Sequence, residues 1–423
     1  MNMDRIILHS DMNCFYASVE CMENPDLRRI PMVVGGDPEN RHGIVLAKNQ
    51  LAKNCGIQTG EALWAAREKC PYLAVKAPDY HRYMDYSRRA RKIYLRYSDR
   101  VEPFGPDEAW IDLTGSPVLS RMTPRQTADQ IRKTMSDELG LTVSVGVSWN
   151  KIFAKFGSDY KKPDAVTEVT RNNYRQIVWS RPVRDLLCVG RSTQAKLCEA
   201  GIYTIGDLAR SGRGELRRLL GKNGEILWCF AGGFDVSEVK KLNEKTVGAD
   251  YDIKSIGNSL TAPRDLVSDH DVKMLMYMLG ESVGMRMREG GFRCGTVEIH
   301  IRDKELRSFT RQRKLARPTV LTEDLVRCGY ALYKENYRIS ETAGIRSLGI
   351  RACALSPADD PFQLCLTDDP IRMERSETLE AEVDKLRRRF GNNSVRRAVT
   401  LGDSMSGLNI KADHVVHPVG YFA

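Results

Sequence analysis

The chain begins with alternating strand and helix patterns, and their order limits the folds open to it. The segment RIILHSDMNCFYASVE predicts a strand followed by a helix. A helical stretch over residues 80–97 leads into the extended segment RVEPFGPDEAWIDLTGS, which contains a Gly-Pro turn. A helix over 123–139 and the strand-to-helix segment LTVSVGVSWNKIFAK follow. This order matches a split βαβ unit, so we expect a ferredoxin-like sheet in an α/β (α+β) multidomain chain.

The remaining chain divides into three further stretches. Residues from about Val166 to Leu242 predict an all-helical region, and a polar linker follows it. From about Ser255 to Leu355, helix and strand patterns alternate again, which predicts a second α/β domain. A break rich in Pro and Asp then precedes a helix with four apolar residues on one face: Leu379, Val383, Leu386 and Phe390.

Composition narrows the class of protein. At roughly 100–200 residues per domain, 423 residues indicate two to four domains. The net charge of +10 favours a polyanionic partner such as nucleic acid. Eleven cysteines without a C-x-x-C pair argue against a disulfide framework and against structural zinc. The chain shows no membrane-length apolar run and no signal-peptide pattern, so we expect a cytosolic protein without membrane contact.

Three acidic residues carry the clearest chemical signal. Asp11 ends the first predicted strand, and Asp107 and Glu108 lie at the turn in FGPDEAW. In a ferredoxin-like sheet the two segments are neighbours, so the carboxylates should meet at one edge. Clustered carboxylates favour bound cations, and Mg²⁺ prefers oxygen ligands. Two such ions suit phosphoryl or nucleotidyl transfer. The alternative is that each is an ordinary turn acid.

Three segments in sequence carry a family resemblance: SDMNCFYASVE, PFGPDEAWIDLTG and VSVGVSWNKIFAKFGSDYKKPDAV. They resemble the motifs of Y-family DNA polymerases of the bacterial DinB type, and the likeness covers nearly the whole chain. It implies a right-hand-like polymerase with a ferredoxin-like palm, small fingers, a helical thumb and an α/β little finger. The implied boundaries are 1–20 and 77–168 for the palm, 21–76 for the fingers, 169–240 for the thumb, 241–254 for the linker, 255–355 for the little finger and 356–423 for the tail.

The resemblance also assigns a catalytic site. It implies that Asp11, Asp107 and Glu108 are the catalytic residues and hold two Mg²⁺ ions as cofactors. The carbonyl of Met12 would add a backbone ligand.

The resemblance implies a nucleotide site beside these acids. Tyr16 would be a steric gate whose ring stacks under the deoxyribose and excludes a 2′-hydroxyl, and Phe15 would lie along the triphosphate. Lys162 would reach the triphosphate as a point charge. On the fingers helix the family often has Tyr and Arg, whereas this chain has Gln50 and Lys53, and a lysine lacks the bidentate fork of arginine. If the motif is ignored, Tyr16 is interpreted as an ordinary half-buried aromatic residue and Lys162 as a solvent-facing side chain.

Two segments predict DNA contacts. VRDLLCVGRSTQAKLCEAGIYTIGDL resembles the helix-hairpin-helix of the family's thumb, in which Gly190 and Arg191 would direct N–H groups at a phosphate. An ordinary helical turn is the alternative. IRDKELRSFTRQRKLAR has seven basic and two acidic residues, so its net charge is +5. It would follow the DNA backbone or form a solvated face, and its candidate contacts are Arg311, Arg313 and Lys314.

The segment FQLCLTDD resembles the bacterial sliding-clamp peptide. Gln363, Leu364 and Leu366 would fill a groove on the clamp β subunit, although Thr367 stands where a Phe is usual. A short strand or linker is the alternative interpretation.

The resemblance implies an error-prone, non-proofreading translesion DNA polymerase, and the carboxylates and basic segments agree with a DNA polymerase. Its expected partners are primer–template DNA, deoxynucleoside triphosphates and the sliding clamp, and we expect a monomer in the bacterial cytoplasm at the nucleoid. Two alternatives remain: an inactive DNA- and clamp-binding adaptor, which should have lost one or more of the carboxylates, and a palm-like nucleotide cyclase.

Overall fold

A computed structural model of the chain describes residues 4–36, 43–243, 248–249, 253–339, 344–364, 366 and 369–401. These residues form two compact units, one within 4–36 and 44–249 and the other within 253–401. None of the helices in the described ranges combines the length and apolar character needed to cross a membrane.

The described residues of the first unit form ten strands. They are β1 (Ile7–Met12), β2 (Met32–Gly35), β3 (Val45–Lys48), β4 (Ala74–Lys76), β5 (Val101–Pro103), β6 (Glu108–Asp112), β7 (Val143–Ser148), β8 (Val166–Glu168), β9 (Leu242–Asn243) and β10 (Gly248–Ala249). Its helices are α1 (Phe15–Glu23), α2 (Gln50–Asn54), α3 (Leu63–Lys69), α4 (Tyr80–Tyr94), α5 (Pro124–Leu139), α6 (Lys151–Tyr160), α7 (Tyr174–Ile177), α8 (Arg191–Glu199), α9 (Ile205–Arg210), α10 (Arg213–Leu220) and α11 (Lys222–Gly232).

A five-stranded sheet with the order β5-β6-β1-β7-β8 forms the centre of this unit. Strand β1 runs antiparallel to both β6 and β7. The order β5-β6-β1-β7 is that of the split βαβ unit, which confirms the ferredoxin-like prediction. Residues on the two faces of β1 alternate as a strand requires: Leu8 packs in the core that includes Ile93 of α4 and Ile131 of α5, whereas Ile7 packs against Ala154 of α6.

A smaller sheet with the order β3-β2-β4 packs with the short helices α2 and α3. Its core is separate from that of the central sheet and includes Val33, Val45, Ile57 and Leu63.

The region predicted to be all-helical contains α7 to α11, whose shared core includes Leu197, Leu208 and Leu227. The prediction is wrong at both ends. Val166–Glu168 forms β8, parallel to β7, because a strand that follows α6 completes a crossover unit on the central sheet. At the other end, Leu242–Asn243 pairs with β10.

The second unit contains β11 (Ser255–Leu266), α12 (Asp269–Glu289), β12 (Phe292–Asp303), β13 (Ser308–Thr319), α13 (Thr322–Asn336), β14 (Ile345–Pro357) and α14 (Pro370–Phe390). Its antiparallel sheet has the order β11-β14-β12-β13. Apolar side chains of one sheet face, such as Ile299, share a core with Leu275 of α12 and Leu325 of α13. This confirms the second α/β domain.

Helix α14 forms where the apolar spacing predicted a helix, but its charged side faces the unit. Asp384 and Arg387 are buried, whereas Leu379 and Phe390 are exposed. Asp384 accepts from Arg288 Nε at 2.7 Å, and Arg387 donates to Glu281 at 2.8 Å. The helix is therefore attached to α12 by buried ion pairs. Residues 402–423, the end of the predicted tail, lie outside the described residues.

Helix α6 lies unusually close to β7, and a glycine permits this approach. A Cβ atom on Gly146 would lie 1.9 Å from the Ala154 carbonyl oxygen and 2.5 Å from the Ser158 nitrogen, so Gly146→Ala must displace α6. We expect the free energy of unfolding to fall by about 2–3 kcal/mol, measured by denaturant titration. Gly214→Ala in α10, where a Cβ meets nothing within 4 Å, is the control and should stabilise the chain by up to about 1 kcal/mol. Equal unfolding midpoints for the two variants would contradict the packing argument.

Candidate active site

The three predicted carboxylates converge because β1 pairs with β6. Asp11 lies opposite Glu108 in the antiparallel register, and Met12 N donates to the Asp107 carbonyl at 3.0 Å. Register partners in such a pair have Cβ atoms about 5 Å apart. The short turn between β5 and β6 thus brings Asp107 and Glu108 to the strand that contains Asp11.

The electrostatics of this cluster favour cations. Burial, followed by the charge of Glu108, raises the pKa of Asp11 to about 6. Burial, followed by the charges of Glu108 and Asp11, raises the pKa of Asp107 to about 7. Two like charges about 4 Å apart repel by roughly 4 kcal/mol at a dielectric constant of about 20. The ionised cluster therefore needs positive charge nearby.

Lysines near α6 supply part of that charge. Lys155 Nζ lies 2.7 Å from Glu108 Oε2, and Lys162 Nζ lies 2.7 Å from Asp11 Oδ2. One turn earlier on α6, Lys151 forms a buried pair with Glu102 at 2.7 Å. Sequence reasoning found Lys162 but missed Lys155. The available signal was the i, i+4 spacing of Lys151 and Lys155, which places both lysines on one side of the helix.

Asp159, near the end of α6, was also not singled out from the sequence. Its carboxylate lies 2.7 Å from Lys162 Nζ and 3.5 Å from Lys155 Nζ. Burial alone would raise the pKa of Asp159, but the charges of Lys155 and Lys162 hold it below its ordinary value. The Asp159 carboxylate thus shares the two ammonium groups with Asp11 and Glu108.

His9 is fully buried between the cluster and α6. Its Nδ1 is 2.8 Å from Ser158 Oγ, and its Nε2 is 3.4 Å from Glu108 Oε2 without a hydrogen-bond partner. Burial, together with the charge of Lys155, lowers the pKa of His9 well below its ordinary value. The ring is therefore neutral and packs against Trp110 at a centroid distance of 5.2 Å.

The donor set fits a divalent cation. Asp11, Asp107 and Glu108 offer only oxygen ligands, the type that Mg²⁺ prefers. Within the described residues, no group of three or more His, Cys, Asp or Glu side chains is arranged closely enough to coordinate a metal ion without rearrangement. Two of these three carboxylates are bonded to lysines, so a metal ion would replace or share those contacts.

An aromatic cluster lies next to the acids. The Tyr16 ring is stacked on Tyr83 at 4.3 Å, with Tyr80 edge-on at 6.0 Å, and Tyr83 donates to Glu20 at 2.6 Å. Burial, followed by the charge of Asp107, raises the pKa of Tyr16 to about 12. The Phe15 ring is buried in the core, so only its backbone is available to a ligand. Sequence reasoning missed Tyr83 because its pattern is that of an ordinary amphipathic helix.

The predicted fingers residues lie on α2, which Asn49 caps by accepting from Ala52 N. Gln50 donates to Asn54 at 2.9 Å, and Lys53 is exposed. Lys48, at the end of β3, donates to Thr59 Oγ1 at 3.0 Å and was not singled out from the sequence.

The predicted hairpin in the first unit precedes α8. Gly190 is the N-terminal cap residue, and Arg191 is the exposed first residue of the helix. Cys188 adopts a φ of 71°, in the left-handed region that favours glycine. The hairpin exposes a helix N-terminus with a basic side chain.

The basic strand in the second unit is β13, at one edge of its sheet. Arg311 and Arg313 lie opposite Ile299 and Val297, and therefore share the helix-covered face. Arg311 donates to Asn336 of α13 at 3.0 Å, and Arg313 forms an ion pair with Glu335. Lys314 points to the opposite face and is exposed.

The three candidate clamp residues are exposed and lie between β14 and α14. Leu366 is fully exposed, and Leu364 is 40 % exposed. Gln363 donates to the Leu364 carbonyl at 3.1 Å. Thr367 lies outside the described residues.

Two family models match the chain. Residues 10–159 match the impB/mucB/samB family, and residues 253–366 match the impB/mucB/samB family C-terminal domain.

Relatives of known name match along nearly the full length. The chain is 46 % identical over 407 residues to DNA polymerase IV of Acetivibrio thermocellus, covering 96 % of this chain and 100 % of the relative. It is 36 % identical over 408 residues to DNA polymerase IV 2 of Bacillus subtilis, covering 95 % and 96 % of the two chains. Among solved structures, a chimeric Y-family DNA polymerase aligns with a TM-score of 0.72 at 19 % identity, covering 82 % of this chain and 98 % of that one. The alignment supports the expected polymerase architecture. On these matches the chain belongs to the impB/mucB/samB family and is a Y-family DNA polymerase of the DinB type.

Proposed function

We propose that Asp11, Asp107 and Glu108 are the catalytic residues of this polymerase and that, with the Met12 carbonyl, they hold two Mg²⁺ ions. Family membership makes the chain a DNA-directed DNA polymerase of the translesion type, which uses primer–template DNA and deoxynucleoside triphosphates. Polymerases of this family depend on divalent metal ions. The observation that best supports the residue assignment is the register pair of Asp11 and Glu108, with Asp107 adjoining.

The chemistry divides between the ions and the chain. Bound divalent ions would activate the primer 3′-hydroxyl and stabilise the charge that develops as pyrophosphate leaves. Asp11, Asp107 and Glu108 would fix those charges on rigid strands, so that little rearrangement is needed during reaction. Lys162, whose ammonium already lies at Asp11, would bind the triphosphate there.

Nucleotide selection would fall to Tyr16 as the steric gate. Its ring is braced by Tyr83 and cannot move away from an added hydroxyl without disturbing the stack. The Phe15 backbone, Gln50 and Lys53 would complete the nucleotide site. Because Gln50 and Lys53 lack the fork of an arginine, their contribution would be single hydrogen bonds and point charge.

DNA contacts would come from both units. Gly190 and Arg191 would bind a phosphate at the N-terminus of α8. Lys314 would contact the backbone directly, whereas Arg311 and Arg313 would have to leave their partners on α13. Phosphate contacts of this kind weaken steeply with added salt.

We assign the palm to residues 1–20 and 77–168, the fingers to 21–76, the thumb to 169–240, the linker to 241–254, the little finger to 255–355 and the tail to 356–423. The exposure of Leu364 and Leu366 supports binding of the sliding clamp. The chain would act as a monomer at the nucleoid in the bacterial cytoplasm. The inactive-adaptor alternative is disfavoured because all three carboxylates are present and converge.

Asp107→Asn tests the metal assignment. Loss of one ligand should lower the primer-extension rate at least about a hundredfold, whereas Asp99→Asn, at an exposed acid of the same unit, should extend normally.

Because the folded pKa of Asp107 exceeds its unfolded value, this carboxyl destabilises the folded chain as pH rises through about 7. With a chelator at about pH 8, the variant should therefore unfold no earlier than wild type in a thermal melt. Full extension activity in Asp107→Asn would refute the assignment.

Tyr16→Ala tests the gate. Without the ring, the ratio of kcat/KM for ribonucleotides to that for deoxynucleotides should rise at least about tenfold in single-nucleotide extension. Tyr16→Phe retains the ring and should keep wild-type discrimination. An unchanged ratio in Tyr16→Ala would remove the gate role.

The combined variant Leu364→Ala and Leu366→Ala tests the clamp peptide. Losing two apolar anchors should reduce clamp stimulation of primer extension at least about tenfold. Val267→Ala, at a similarly exposed apolar residue elsewhere in the second unit, is the control. Stimulation that survives the double substitution would sink the clamp proposal.

A further inference from the structure

Asp159, in the last turn of α6, contacts both lysines that touch the catalytic carboxylates. Its Oδ1 lies 2.7 Å from Lys162 Nζ, and its Oδ2 lies 3.5 Å from Lys155 Nζ. Lys162 in turn contacts Asp11, and Lys155 contacts Glu108, each at 2.7 Å. Three carboxylates and two ammonium groups thus form one network of ion pairs. Asp107 lies close enough for the charges of Glu108 and Asp11 to raise its pKa.

We propose that Asp159 is a positioning residue for nucleotide addition: it holds the ammonium groups of Lys162 and Lys155 in place at Asp11 and Glu108. This inference rests on the proposed function, because it assigns Asp11 and Glu108 to the catalytic cluster. Asp159 itself touches no reacting atom and acts through the two lysines.

The position of Lys162 explains why it needs such a partner. It lies beyond the end of α6, with Lys161 as the C-terminal cap residue. A lysine has a flexible four-carbon side chain, and holding it in one position costs rotamer entropy. The contact with Asp159, three residues earlier, fixes the ammonium from the helix side while Asp11 fixes it from the sheet side.

The position of Lys155 is coupled to the same carboxylate. Lys155 and Asp159 are four residues apart on α6, so their side chains lie on one side of the helix. Because α6 is held tightly against β7 at Gly146, the helix presents this pair to β1 and β6 at a fixed distance. The Asp159 carboxylate thereby fixes the positions of both lysine ammonium groups relative to the sheet.

An ordinary surface ion pair is the competing explanation. The Asp159 side chain is half exposed, and exposed ion pairs contribute little to stability. A surface pair would affect the melting temperature slightly and nucleotide binding not at all. The positioning role predicts the reverse, because a misplaced Lys162 weakens the grip on the triphosphate.

The test compares Asp159→Asn, Asp159→Glu and the control Asp164→Asn in the full chain. Asp164 is a nearby acid that pairs with Arg132 instead of the site lysines. Three quantities are measured: the thermal midpoint, kcat and KM for a correct deoxynucleotide, and the Kd of that nucleotide for a complex whose dideoxy-ended primer prevents chemistry.

We expect Asp159→Asn to raise KM and Kd about tenfold, the usual effect of losing one charge-assisted hydrogen bond, with a smaller change in kcat and a near wild-type midpoint. Asp159→Glu should recover part of the affinity, and Asp164→Asn should match wild type.

Wild-type KM and Kd in Asp159→Asn would overturn the positioning role. A lowered midpoint with normal Kd for the folded fraction would overturn it too, in favour of a structural role. Asp107→Asn tests the proposed function separately. If that variant extends primers normally, the assignment of the catalytic cluster is wrong. If Asp107→Asn is inactive while Asp159→Asn has wild-type KM and Kd, only the positioning role of Asp159 is wrong.

Discussion

The antiparallel pairing of β1 with β6 is the constraint on which the candidate active site in the first unit depends. It places Asp11 opposite Glu108 on two central strands, where neither backbone can move without breaking the sheet. Burial and mutual repulsion raise the pKa of Asp11 and Asp107, so the arrangement is costly to the isolated fold. Bound cations would relieve the repulsion within such a cluster, as we propose for this site.

Helix α6 is the second half of this arrangement. It follows β7 and lies against the same face of the sheet as Ile7 and Trp110, close enough that Gly146 can carry no side chain. That approach brings Lys155 to Glu108, and the residues just after the helix bring Lys162 to Asp11. Strands fix the negative charges and the helix fixes the positive ones, so the site is preorganised by packing.

The sequence was sufficient for the order of the split βαβ sheet and for the position of Asp11, but not for β8, which was predicted to be helical. The order of patterns predicted the split βαβ sheet, and that topology brings Asp11 and the turn before β6 together. Contacts made across packed faces were not predictable. The pairing of Lys155 with Glu108 depends on how closely α6 approaches β7, and the stacking of Tyr16 on Tyr83 depends on the rotation of α4.

In the second unit, the directions in which side chains point could not be predicted from the sequence either. The basic residues of β13 predicted a strand that follows the DNA backbone or forms a solvated face, but the strand turns Arg311 and Arg313 toward α13 and Lys314 away from it. Likewise, the apolar face of α14 points to solvent, because Asp384 and Arg387 find buried partners on α12, far away in sequence.

The central claim is that the acids of β1 and β6 jointly hold divalent ions. The most direct measurement is Mn²⁺ binding, followed by electron paramagnetic resonance, in a complex with dideoxy-ended primer–template and the matching nucleotide. The account predicts two tightly bound Mn²⁺ ions in the wild-type complex and fewer or weaker ones when Asp11 is changed to Asn. Equal numbers of Mn²⁺ bound with equal affinity in the two complexes would contradict it.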